Sequence, residues 1–229
     1  MSSTRDGVSP SLPRMWFRLP PGYCALDGIS LDMLEETTTS LLAPILENAP
    51  AVQATLRDAQ TLVALLQEMR EHGNVYTALG AHPDEVLGTS MSLFSLSMAE
   101  TSSPSRTLTV ARSALAVADS PLWGDCTRRL VELPIGPAAL VTGSLALPSR
   151  EALVAMGIAS EPTEIFQARL VVACPAGTHC AVADLTSAAV HHAESYTDIL
   201  EGIARTMSFT EPTAEAPVRR HSRIQDLIT

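Results

Sequence analysis

Between residues 50 and 72 the apolar positions Val52, Leu56, Ala59, Val63 and Leu66 recur in alternating steps of four and three, the spacing of a helix with one buried stripe. Gly73 stands where such a helix ends. Upstream, Ser30 can cap a segment whose apolar positions are Leu31, Leu34, Leu41, Leu42, Ile45 and Leu46. Pro44 can kink that segment, and Pro50 opens a new one. Residues 30–48 and 50–72 therefore predict a helical hairpin or one bent helix. Past Gly73 the period falls toward two. Residues 74–80, with Val75, Tyr76 and Leu79, and residues 88–98 read as strands joined by turn chemistry at Ala81–Glu85. In the second strand the apolar phase shifts between Leu93 and Phe94, which predicts either a bulge or a strand covered on both faces.

Met15–Leu19 reads as a short strand stopped by Pro20-Pro21-Gly22. Ser103-Pro104 supplies a cap and first-turn proline for a helix with Leu108, Ala111, Leu115 and Ala118 on its inner face. Residues 119–127 read as a loop. Arg128–Leu133 and Ala138–Leu147 read as strands around the turn Pro134-Ile135-Gly136-Pro137. Residues 149–162 are punctuated by Pro and Gly, with one helical turn at 150–156. The clearest strand has Phe166, Ala168, Leu170, Val172 and Cys174 on one face and Gln167 and Arg169 on the other. Pro175–Thr178 turns it into His179–Thr186. A last helix carries Tyr196, Ile199, Leu200, Ile203 and Met207 on one stripe, with Asp198, Glu201 and Arg205 outward.

Strands thus come in consecutive pairs joined by short turns, which favours antiparallel pairing. The expected class is α+β: a mainly antiparallel sheet of about seven strands, helices packed on one side, and a helical hairpin inserted after the first strand. Residues 1–14 read as a disordered arm, 15–210 as a single domain, and 211–229 as a flexible basic tail. No internal repeat of fixed period occurs.

Composition narrows the function. The 229 residues carry 25 Asp+Glu against 15 basic residues, a net charge of −10. A field of that sign repels phosphate and argues against a general nucleic-acid binder. All the basic residues are arginine, so lysine Schiff-base and lysine general-base chemistry are excluded. No apolar run approaches the roughly 20 residues of a membrane span, and residues 1–13 lack a signal-peptide core. No membrane association and a cytoplasmic location are the expectations. Four scattered cysteines, Cys24, Cys126, Cys174 and Cys180, do not form a disulfide framework.

Candidate chemistry is sparse. There is no phosphate-binding or dinucleotide glycine loop and no Gly-x-Ser-x-Gly elbow. Val141-Thr142-Gly143-Ser144-Leu145 lies inside a strand, and Asp184 and His191 could join a serine only on paper. Glu35-Glu36 and Asp84-Glu85 read as solvated charges rather than an acid/base pair. Cys174, His179 and Cys180 flank a turn, with His191 and His192 further on. Their spacing is not that of a zinc knuckle, and the two cysteines read as small core hydrophobes or near-opposed hairpin residues. The weak metal-ligand candidates are His82, Asp84, His191 and His192; no catalytic residue and no cofactor is assigned. In the tail, Arg219, Arg220, Arg223, Ile224, Leu227 and Ile228 form a basic island with apolar residues at helical spacing, a candidate partner-binding segment.

Two resemblances bear on these residues. Ala81-His82-Pro83-Asp84-Glu85-Val86 resembles the Ala-His-Pro-Asp-Asp-Glu motif of zinc de-N-acetylases of the PIG-L/LmbE type. The resemblance implies His82 as a zinc ligand and Asp84 as the base that activates water, with Glu85 in the place of the second aspartate ligand. Val86 departs from the family's glutamate. The motif also falls between hairpin strands rather than after the first strand of a Rossmann-like sheet. The second resemblance covers roughly residues 15 to 210. Trp16–Gly22, Phe166–Val172, Ala181–Thr186 and Tyr196–Phe209 together are similar to a group of uncharacterised actinobacterial proteins, and the outline resembles the PsbP/Mog-like architecture. That likeness implies a protein without shared catalytic residues. The leading expectation is a non-enzymatic interaction, adaptor or chaperone-like protein with a protein partner, linked to a secretion or stress system. The alternatives are a metal-dependent hydrolase built on His82–Glu85, and a binder of a small apolar ligand between sheet and helices.

Overall fold

The computed structural model describes residues 13–26, 66–86, 88–101, 103, 105–118, 123–146, 164–175 and 177–212. Its strands are β1 (Tyr23–Ala25), β2 (Asn74–Asp84), β3 (Gly88–Glu100), β4 (Trp123–Leu133), β5 (Gly136–Ala146), β6 (Glu164–Ala173) and β7 (His179–Ser187). Its helices are α1 (Arg106–Ala118), the short 3-10 turn η1 (Val190–His192) and α2 (Ala193–Arg205). Residues 66–71 are also helical. The strands form one seven-stranded sheet in the order β1-β2-β3-β7-β6-β5-β4. Every pairing is antiparallel.

The sheet is covered on both faces, which corrects the expectation of helices on one side. Strand alternation sends neighbouring residues to opposite faces. Phe94, Leu140, Phe166, Leu170 and Leu185 join Tyr196, Leu200 and Ile203 of α2 in the main core. Ala139 and Ala173, the neighbours of Leu140 and Val172, point the other way and receive Val110 of α1. On that second face Leu79 and Leu93 pack against Leu26, Leu66 and Met69. The phase shift at Leu93/Phe94 is thus a strand covered on both sides, with the β2–β3 register running unbroken through Leu79↔Leu93 and Ala78↔Phe94.

Local departures from the sequence reading have identifiable causes. Met15–Leu19 is not a sheet strand. Trp16 makes one isolated bridge with Ser208, while Met15, Phe17 and Leu19 pack on the main core, and β1 forms after the Pro-Pro-Gly turn instead. β2 runs on through Asp84 rather than turning at residue 81. Pro83 is tolerated there because β1 covers only Ala78–Gly80, so among the described residues the far half of β2 is an edge that needs no N–H from residue 83. The predicted loop 119–127 contributes its last residues to β4, where Trp123 is buried behind a bulge.

The α1 helix is rotated from its predicted face: Leu108 and Leu115 are exposed, and Val110 and Thr109 are buried. Arg106 fixes this rotation by donating to the carbonyls of Ile135 (2.8 Å) and Ala173 (3.1 Å). Gly136, at φ +122°, leaves the room its guanidinium needs, since a Cβ there would lie 2.9 Å from Nη2. The predicted hairpin over 30–72 lies outside the described residues except for its last turn, 66–71, and the helical turn at 150–156 lies outside them altogether.

Candidate metal centre

The β2–β3 hairpin and the start of α2 bring together residues far apart in the chain. Ala78 faces the main core, so alternation puts Gly80, His82 and Asp84 on the same face. Across the hairpin, His82 is opposite Ser90 and Gly80 is opposite Ser92. β7 delivers the chain to η1, which carries His191 and His192 over the end of the hairpin. α2 then begins, with His192 at its N-cap position.

Asp84 is 5% exposed, against the reading of Asp84-Glu85 as solvated charges; Glu85 does remain exposed. The Val86 N–H donates to Asp84 Oδ1 at 2.8 Å, closing the turn after β2 and fixing the carboxylate. The other oxygen, Oδ2, meets both histidines. His191 Nε2 is hydrogen-bonded to it at 3.1 Å. His192 Nε2 stands 3.3 Å from the same oxygen, but outside hydrogen-bond alignment. That nitrogen is buried and has no hydrogen-bond partner among the described residues. One ligand atom from each of Asp84, His191 and His192 lies within 4.8 Å of the others.

These separations suit a shared cation. Ligand atoms about 2.0–2.1 Å from a tetrahedral zinc stand about 3.3–3.4 Å from one another. Two imidazoles and one carboxylate are also a common donor set for first-row divalent ions. The Val86 N–H on Oδ1 is the kind of outer hydrogen bond that orients a ligating carboxylate. The Asp84 side chain is fully buried, as is His192 Nε2, while the His191 and His192 side chains as wholes are 38% and 32% exposed.

A wall of hydroxyls and rings flanks the group. Tyr196 donates to Ser90 Oγ at 2.7 Å. Ser92 Oγ shares hydrogen bonds with the Tyr23 hydroxyl at 2.7 Å and with His82 Nε2 at 3.0 Å. The His82 ring stands edge-on between Tyr23 (5.3 Å) and Tyr196 (5.6 Å). Burial holds the His82 imidazole below its ordinary value, and burial pushes the Tyr23 phenol up to about 12. Gly80 makes the wall possible, because a Cβ there would lie 2.7 Å from the Tyr23 ring and 2.8 Å from His82 Nε2.

Three of the four sequence candidates thus converge, and the de-N-acetylase pattern does not select them. Asp84 takes the ligand position that the motif gives to residue 85. His82 is held by Ser92 and is not in the converging group. His191 and His192 carry no motif; only the closing of the sheet places them. His179 is buried beside Thr178, and Cys174 and Cys180 are buried free thiols. Arg219, Arg220, Arg223, Ile224, Leu227 and Ile228 lie outside the described residues. The space between sheet and α2 is filled by side chains such as Phe94, Leu170, Tyr196 and Leu200, all 2% exposed or less. No helix among the described residues is long and apolar enough to cross a membrane. No family model matches the chain, and no curated protein matches it.

Proposed function

We propose that this is a metal-binding protein whose centre is Asp84, His191 and His192, open to an outside ligand. The observation that carries this reading is the approach of two imidazole nitrogens to a single carboxylate oxygen, at 3.1 and 3.3 Å, with one of those nitrogens buried and outside hydrogen-bond alignment. Structural zinc sites use four protein ligands, whereas catalytic ones use three and leave a position free. Three protein donors, two of them on partly exposed imidazole side chains, fit the second kind. A bound zinc would polarise a carbonyl oxygen or activate water there, which is the chemistry of the hydrolase alternative.

The test is a zinc titration of the full chain, stripped with chelator and followed by competition with a chromophoric chelator. One zinc per chain is expected. Asp84→Asn, His191→Ala and His192→Ala should each weaken it by about 100-fold or more, since even outer-sphere changes at such sites cost about 10–100-fold. Substoichiometric zinc, or binding indifferent to these substitutions, would overturn the reading.

A further inference from the structure

The two edges of the sheet differ in kind. One ends in β1, three residues long. The other is β4, an 11-residue strand that pairs with β5 and, among the described residues, has no strand on its far side. Long open edges are templates for pairing with another chain. The sequence along β4 says which chain. Arg128, Leu130 and Glu132 occupy one face by alternation, and Leu130 is 70% exposed, unusual for leucine within a strand. The order is cation, apolar residue, anion, which is self-complementary when reversed.

We propose that β4 pairs antiparallel with β4 of a second copy, about a two-fold axis through Leu130, joining the two sheets into one. In this register Leu130 lies against the partner's Leu130. Arg128 lies opposite the partner's Glu132 and Glu132 opposite the partner's Arg128, so symmetry supplies the ion pair twice. Arg129 and Val131 face each other on the opposite side of the sheet, where Arg129 already engages Glu201 of its own α2. Other registers lose these pairs: centring on Val131 sets Leu130 opposite the partner's Glu132, and centring on Glu132 sets that carboxylate against its own copy. A two-fold axis perpendicular to the sheet must pass midway between a residue and its own copy, because paired side chains share a face. Centring on Arg128 or Arg129 sets an arginine against its own copy, and like charges directly opposite are destabilising. Centring on Thr127 brings the bulge between Trp123 and Cys126 into the ladder. The register at Leu130 alone among these combines opposite charges with burial of the exposed leucine.

Sedimentation equilibrium of the full chain with excess chelator tests this independently of any metal. The expected mass is twice 24.3 kDa. Arg128→Glu and Glu132→Arg, both at exposed positions, should each raise the dimer dissociation constant about tenfold or more, because each reverses two symmetry-related pairs. The double variant Arg128→Glu/Glu132→Arg should return to within about threefold of the parent. Far-UV circular dichroism of each variant checks that the sheet is intact. A monomer at about 100 µM, a concentration at which a specific interface of ordinary size is populated, would overturn the proposal. So would a dimer unmoved by the single reversals, or a natively folded double variant that fails to recover.

Discussion

Two aspartates are buried on opposite faces of the same sheet, and their surroundings could hardly differ more. Asp184, on the α1 side of β7, is 9% exposed. It meets Arg169 through two hydrogen bonds, Nε to Oδ1 at 2.6 Å and Nη2 to Oδ2 at 3.1 Å, and Gln167 donates to it at 3.2 Å. Asp84, on the α2 side of β2, meets two imidazoles that crowd onto one oxygen. The first carboxylate has a permanently charged partner with matching fork geometry, so its interactions are closed. Burial raises the Asp184 pKa and the Arg169 hydrogen bonds oppose that rise. The second faces two imidazoles, whose ring nitrogens are metal-ligand atoms. Burial of a carboxylate is therefore not what marks a site; the chemistry of what faces it is.

The contrast is broken most forcefully at Asp184. Arg169→Ala should cost about 3 kcal/mol or more in urea denaturation, because it leaves the Asp184 charge buried and uncompensated, and Asp184→Ala should cost less, because the Arg169 side chain it leaves is 29% exposed. Replacing both, with Arg169→Met and Asp184→Leu, should cost less than either single replacement, since an apolar pair of similar volume removes both desolvation penalties. If the double replacement is as damaging as either single one, Asp184 is more than half of a structural ion pair.

At Asp84 the difference should appear only when metal is added. Zinc at about 100 times its dissociation constant should stabilise the parent by about 2.7 kcal/mol, seen as a rise in Tm. The Asp84→Asn protein should lose that increment, while Asp184→Asn should keep it. An equal zinc response in both variants would erase the distinction between the two aspartates.

Smaller effects sharpen the picture of the wall. Tyr196→Phe leaves Ser90 without its partner and should cost about 1 kcal/mol. Tyr23 is held protonated to about 12 by burial. The folded state therefore keeps a proton that the unfolded chain releases near its ordinary value of about 10. Tyr23 should contribute stability that is complete below about pH 10 and is lost as the pH rises through about 12. Titration of phenolate absorbance should show a late step that is lost in Tyr23→Phe.

The sheet was legible in the sequence because its signal is local. Alternation in Phe166–Cys174 and the turn at Pro175–Thr178 predict β6 and β7, and both form. Where the chain is read by different rules, the reading fails. The face of α1 cannot be found from its own periodicity, because Val110 is drawn inward by the small residues Ala139 and Ala173 on strands distant in sequence. The extension of β2 through Pro83 depends on how short β1 is. At the site, Asp84 and the two histidines were visible as residue types, but nothing near either segment said that they would meet. That meeting depends on β3 pairing with β7, a contact between distant segments.

The span of that contact has a consequence for the order of events in the life of the chain. Asp84 and His191 are separated by 107 residues. The group they form does not exist on any fragment emerging early from synthesis, nor in any intermediate holding only the β2–β3 hairpin or only the β6–β7 hairpin. It appears at the moment the two hairpins dock. A spectroscopically active ion such as cobalt, added to a refolding sample, would therefore time that docking rather than the formation of helix or strand.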